Sequence, residues 1–150
     1  MVYLVDTNVL LRFADQNHSF HANIRSAVRT LRANGHSLCC APQNFVEFWN
    51  VATRPIDRNG FGLTPEKADR LLRLTERLFP LLPDSPAVYR EWRRLVVSFR
   101  VSGIQVHDAR IVAAMLVHGV THILTLNTID FVWYETRGIV VVNPTTVSSV

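Results

Sequence analysis

Apolar residues in this chain fall into short unbroken runs separated by longer amphipathic stretches. Val2–Val5, Ser37–Ala41, Pro80–Leu82, His122–Leu126 and Ile139–Val142 are brief apolar segments that read as strands. Helical spacing predicts six helices between them: about Val9–Ala14, a second capped by Ser19 and running to Leu31, and a third from Pro42 to about Thr53. The remaining three are Pro65–Leu78 behind Thr64, a fifth opened by Asp84 or Ser85 and running to about Arg100, and Asp108–His118. RPIDRNGFG, Arg54 to Gly62, is the most loop-like stretch. Strands that alternate with helices pair in parallel, and strands apolar on both faces must be covered on both. The expectation is an α/β fold: a three-layer α/β/α sandwich around a central parallel sheet of four to five strands.

Composition narrows the class. Hydrophobic residues make up 48% of the 150 positions and charged residues 19%, which excludes disorder and suits one domain over residues 1–150 that buries roughly 70% of its unfolded surface. No apolar run reaches the ~18 residues of a membrane span, and Asp6 and Arg12 interrupt anything resembling a signal core, so a cytoplasmic protein is expected. Cys39 and Cys40 are adjacent and would point to opposite sides of a strand, which makes them small core residues and not a disulfide. His118 and His122 have helical spacing, but Gly119 between them ends the helix, so a histidine metal site is not expected. The net charge is +4, and 15 of the 16 basic residues are arginine, which suits phosphate-rich partners such as nucleic acid.

The twelve carboxylates sort by their surroundings. Glu66 and Asp69 precede Arg70 and Arg73 by four residues, Glu76 and Glu91 sit among arginines, Asp84 reads as a cap, Asp15 and Asp57 lie in loops, and Glu135 is near Arg137. All eight read as solvated. Asp6 follows the apolar run VYLV, Asp108 opens an apolar helix in VHDARIVAAM, and Asp130 comes just past HILTL. Glu47 shares one side of its helix with Gln43, Asn44, Asn50 and Arg54, opposite an apolar stripe of Phe45, Phe48, Trp49 and Ala52. Taken singly, Asp6 and Asp108 serve equally well as helix caps, Glu47 as a solvent-facing residue and Asp130 as a turn residue. Together, strand ends and the helices that follow them can converge at one edge of a parallel sheet, where ligands gather. Clustered carboxylates repel one another, and hard divalent cations relieve that repulsion through oxygen ligands.

In DTNVLL at Asp6–Leu11, the helical Glu47, HDARIVAAM at His107–Met115 and HILTLNTIDF at His122–Phe131, the chain resembles a PIN domain, and more narrowly a VapC-type toxin nuclease. The resemblance spans nearly the whole chain. It implies an α/β/α sandwich with an acidic metal site that cleaves RNA. By similarity, Asp6, Glu47 and Asp108 form an acidic triad holding Mg2+ or Mn2+, with Thr7 and Asn8 as polar supports and the Thr7 hydroxyl near the metal or the scissile phosphate. Where many relatives carry an acid directly after the Thr-x pair of the fourth strand, this chain has Asn127, with Asp130 three residues later, so either residue can fill the fourth catalytic position. The implied mechanism is metal-assisted hydrolysis by water, which leaves a 5′-phosphate and a 3′-hydroxyl. Arg54 and Arg58 are candidate RNA contacts, with a solvated loop as the plain alternative. A small antitoxin placing an arginine in the acidic site and a homodimer are implied partners.

Two other functions remain open at this level. A haloacid-dehalogenase-like phosphatase also begins with an Asp at the end of its first strand, but it needs a second Asp where this chain has Asn8, and a lysine near a later strand end, whereas Lys67 is the only lysine. A PIN-like RNA-binding module without activity is the closer rival, although all three acids are present.

Overall fold

The computed structural model describes residues 1–147. Four short strands form the sheet: β1 (Val2–Val5), β2 (Ser37–Cys39), β3 (His122–Leu124) and β4 (Val140–Val142), in the order β2-β1-β3-β4 and all parallel. The registers pair Leu4 with Cys39 and Ile123, and Ile123 with Val141. Six helices connect and cover them: α1 (Thr7–Ala14), α2 (His21–Ala33), α3 (Pro42–Thr53), α4 (Pro65–Leu78), α5 (Pro86–Ser98) and α6 (Gln105–His118).

Strand alternation divides the core in two. Tyr3, Val5, Leu38, Cys40 and Leu124 pack beneath α1 to α4 with Val9, Leu10, Ile24, Phe48 and Phe79. Leu4, Cys39 and Ile123 face the other way, against Leu95, Val112, Met115, Phe131 and Tyr134. The three-layer sandwich is therefore present, and the adjacent cysteines do part to opposite faces as free, buried thiols. Burial pushes the Cys39 thiol up to about 11, so it stays protonated and inert.

Four expectations need correction. α2 starts at His21 behind Phe20, with no side-chain cap from Ser19. Pro80–Leu82 is not a strand but a single parallel bridge between Leu81 and Cys40, held by two backbone bonds, Cys40 N–H to the Pro80 carbonyl (3.0 Å) and Leu82 N–H to the Cys40 carbonyl (2.7 Å). Prolines at 80 and 83 lack the N–H that would extend the ladder, so the sheet has four strands. α6 begins at Gln105, three residues before Asp108, without a side-chain cap. Glu91 is not freely solvated: its side chain is 13% exposed and accepts from Arg94 (3.0 Å) and Arg137 (2.8 Å). Burial works against its ionisation, but the two guanidinium groups outweigh it and hold the carboxyl below its usual range.

The loop after α3 is also more ordered than its composition suggests. Its chain folds back so that the N–H groups of Phe61, Leu63 and Gly62 bond the carbonyls of Val51, Ala52 and Arg54, which cap the end of α3.

Candidate carboxylate site

Strand β1 ends at Val5, and Asp6 is both the next residue on the sheet edge and the N-cap of α1. Its backbone N–H continues the ladder to the Leu124 carbonyl (3.0 Å), which fixes the residue against the end of β3. Both readings of Asp6 hold: it caps a helix and it is held at the carboxyl edge of the sheet. The side chain is buried. One oxygen accepts from the Thr7 N–H (2.8 Å); the other accepts from the Thr125 hydroxyl (2.7 Å) and the Asn8 amide (3.2 Å). These bonds favour the carboxylate, but burial outweighs them, and the Glu47 charge adds to it, lifting Asp6 to about 6.

Glu47 lies one turn into α3, where both its oxygens are engaged: one accepts from the Thr7 hydroxyl (2.6 Å), the other from the Gln43 amide (2.8 Å). Thr7 in turn accepts from the wholly buried Asn44 (3.1 Å), whose carbonyl oxygen accepts from the Ala41 N–H (2.9 Å) at the start of α3. The Thr7 hydroxyl is thus committed to Glu47. Asn8 ties α1 to the end of β3, its carbonyl oxygen accepting from the Leu126 N–H (3.1 Å).

Asp108 projects from the first turn of α6, on the opposite face of the sheet from α3. Its carboxyl is raised to about 7, first by burial and then by the charges of Asp6, Asp130 and Glu47. The other three acids singled out in the sequence therefore stand within electrostatic reach of Asp108. Asp130 contributes its charge from the 3-10 turn Thr128–Asp130. Asn127 contributes backbone, its N–H donating to the Thr125 hydroxyl (3.0 Å) and its carbonyl accepting from the Asp130 N–H (3.1 Å), while its side chain is exposed. Arg54 and Arg58 flank the loop beyond α3. Arg54 donates to the Asn59 carbonyl (3.4 Å), and Arg58 is exposed at the end of the turn Ile56–Arg58.

Three residues that were not assigned a role from the sequence belong to this network. Thr125 serves Asp6, Asn8 and Asn127 at once. Gln43 and Asn44 are buried polar side chains on the face of α3 that Glu47 occupies. Their helical spacing from Glu47 was visible, but a polar helix face ordinarily reads as solvated.

Among the described residues, no three His, Cys, Asp or Glu side chains are drawn together tightly enough to hold a metal ion as they lie. Hydrogen bonds hold Asp6 and Glu47 instead. The donor chemistry nevertheless suits a hard divalent cation: oxygen ligands only, with Asp6 raised in part by the charge of Glu47 and Asp108 in part by those of Asp6, Asp130 and Glu47. The Arg110 guanidinium joins the network at its edge, reaching Gln43 (3.4 Å) and Asp84 (3.0 Å).

The PIN domain family model matches residues 3–132. The chain belongs to the PIN domain family. A search of curated proteins finds no significant match. Among solved structures, this PIN domain resembles VapBC-1 from nontypeable Haemophilus influenzae at 15% identity and TM-score 0.69, covering 97% of this chain and 100% of that one. It also resembles VapBC2 from Rickettsia felis, solved with a promoter DNA fragment, at 12% identity and TM-score 0.67 over 95% and 98% of the two chains. VapC20 from Mycobacterium tuberculosis, a toxin that cleaves the sarcin–ricin loop, matches at 14% identity and TM-score 0.65 over 95% and 99%. At these identities the likeness is one of fold.

Proposed function

We propose that this PIN domain is a metal-dependent endoribonuclease and the toxin of a cytoplasmic toxin–antitoxin pair. The observation that carries the reading is that Asp108 feels the charges of Asp6, Glu47 and Asp130, acids from four separate parts of the chain beside the carboxyl edge of the sheet. In this reading Asp6 and Asp108 hold Mg2+ or Mn2+, Glu47 completes the set, and Asp130 adds the fourth charge in place of Asn127. When bound, the ion would supply Lewis acidity and a water of lowered pKa. The residues around it do the positioning. Thr125 and Asn8 aim Asp6, Thr7 and Gln43 aim Glu47, and the first turn of α6 carries Asp108 into the same space. No side-chain nucleophile is needed in this reading.

Partners follow from the same chemistry. Four carboxylates would draw an arginine from an antitoxin tail, and the VapBC structures of the Haemophilus and Rickettsia proteins support such a partner; a homodimer is part of the same proposal. Arg54 and Arg58, at the end of α3, would meet RNA phosphates beyond the site. The test is incubation of purified protein with total cellular RNA, with Mg2+ or EDTA, beside Asp6→Asn. Cleavage that needs the metal and is lost in the variant is expected, at least a hundredfold on the scale of removing a metal ligand. RNA bound equally well by both proteins and cut by neither would instead mark an inactive binding module.

A further inference from the structure

The acids come from both helical layers. Glu47 belongs to α3, which packs with the core on one face of the sheet, and Asp108 to α6, which packs on the other. Their separation depends on how the two layers are held across the top of the sheet. Among the described residues, the only side-chain hydrogen bonds between α3 and α6 run through Gln43. Its amide nitrogen donates to Glu47 Oε1 (2.8 Å) and to the carbonyl of His107 (2.8 Å), the residue directly before Asp108. Its carbonyl oxygen faces the Arg110 guanidinium (3.4 Å), which Asp84 anchors at 3.0 Å. Gln43 is 9% exposed, which shields its bonds to Glu47 and the His107 carbonyl from water, whereas the Arg110–Asp84 pair lies at the surface.

The amide is asymmetric, and its surroundings allow one orientation. Glu47 and the His107 carbonyl can only accept, and Arg110 can only donate. Arg110 therefore fixes which end of the amide faces the acids. We propose that Gln43 is a positioning residue that sets Glu47 of one layer against the Asp108 turn of the other. It spaces the two carboxylates for a shared divalent ion without touching substrate. This rests on the nuclease reading above and adds a residue to it.

Gln43→Met keeps the length and apolar stem but removes both donors. Gln43→Asn keeps the amide but draws it back one methylene, so it can serve one acceptor at most. Three readouts apply: the melting temperature, Mn2+ affinity from the electron spin resonance of free Mn2+ without RNA, and steady-state cleavage. We expect Gln43→Met to bind Mn2+ about tenfold to a hundredfold more weakly and to lose kcat by a similar factor with KM unmoved. Gln43→Asn should fall between it and the unaltered protein, and it decides alone if the methionine variant does not fold. A folded variant whose Mn2+ affinity and kcat match those of the unaltered protein overturns the proposal. So does a loss confined to KM, or a loss that merely tracks the folded fraction. If the unaltered protein itself neither binds Mn2+ nor cuts RNA, the nuclease reading fails and takes this role with it.

Discussion

Asp6 owes its setting to Thr125, a residue that bonds three partners through one hydroxyl: it donates to Asp6 Oδ2 and accepts from the Asn127 N–H and the Asn8 amide. It is fully buried, so nothing replaces those bonds when the hydroxyl is removed. Thr125→Val preserves shape and strand propensity, and the expected outcome is a loss of about 1–3 kcal/mol in urea denaturation. Mn2+ affinity, read by titration calorimetry, should fall about tenfold as Asp6 loses its aim. Unchanged stability would mean that the bonds to Asp6 are not formed in solution. The four acids were legible in the sequence because each interrupts or adjoins an apolar run, where a charge needs a reason. Thr125 was not, since a threonine inside HILTL looks like any β-branched strand residue.

At the level of elements, legibility follows the strength of local signals. α3 and α4 start where Pro42 and Thr64–Pro65 place them, because proline at the first helical positions and a threonine cap act locally. α6 starts at Gln105 behind Ile104, which offers no side-chain bond, so no capping residue marked its start in the sequence. The turn after α3 has the most loop-like composition in the chain, yet it caps that helix. Its tightest point is Gly60, where a Cβ would lie 1.9 Å from the Arg54 carbonyl oxygen. Gly60 packs so closely that any side chain must push the turn off the helix end. Gly60→Ala should cost roughly 2–3 kcal/mol in urea denaturation, more than a surface substitution does. Amide hydrogen exchange should quicken at Phe61 and Leu63, whose N–H groups bond α3. An alanine variant as stable as the parent would mean that the turn is loose after all.

For the whole molecule, gathering carboxylates at a sheet edge sets stability against function. Asp6 stands at about 6 and Asp108 at about 7, both above their values in an unfolded chain, near 3.8. The folded protein therefore binds more protons than the unfolded one through this range, and by linkage its stability falls as pH rises. The stabilising contribution is complete below pH ~4 and lost by the time pH has passed through about 6 for Asp6 and about 7 for Asp108. For the buried Asp6 the full loss is about 3 kcal/mol, or roughly 6–12 °C in melting temperature for a domain of this size. The expected result is that metal-free protein melts at a lower temperature at pH 8 than at pH 5.5, and that Asp6→Asn narrows the gap by removing the titrating group. Mn2+ at pH 8 should restore much of it, because a cation bound to the folded state alone opposes the same repulsion. The variant must supply the comparison, because it removes this one carboxyl and leaves every other ionisable group in place. If Asp6→Asn melts with the same pH dependence as the parent, Asp6 is not held in a buried, charge-crowded setting and the edge of the sheet is an ordinary helix cap.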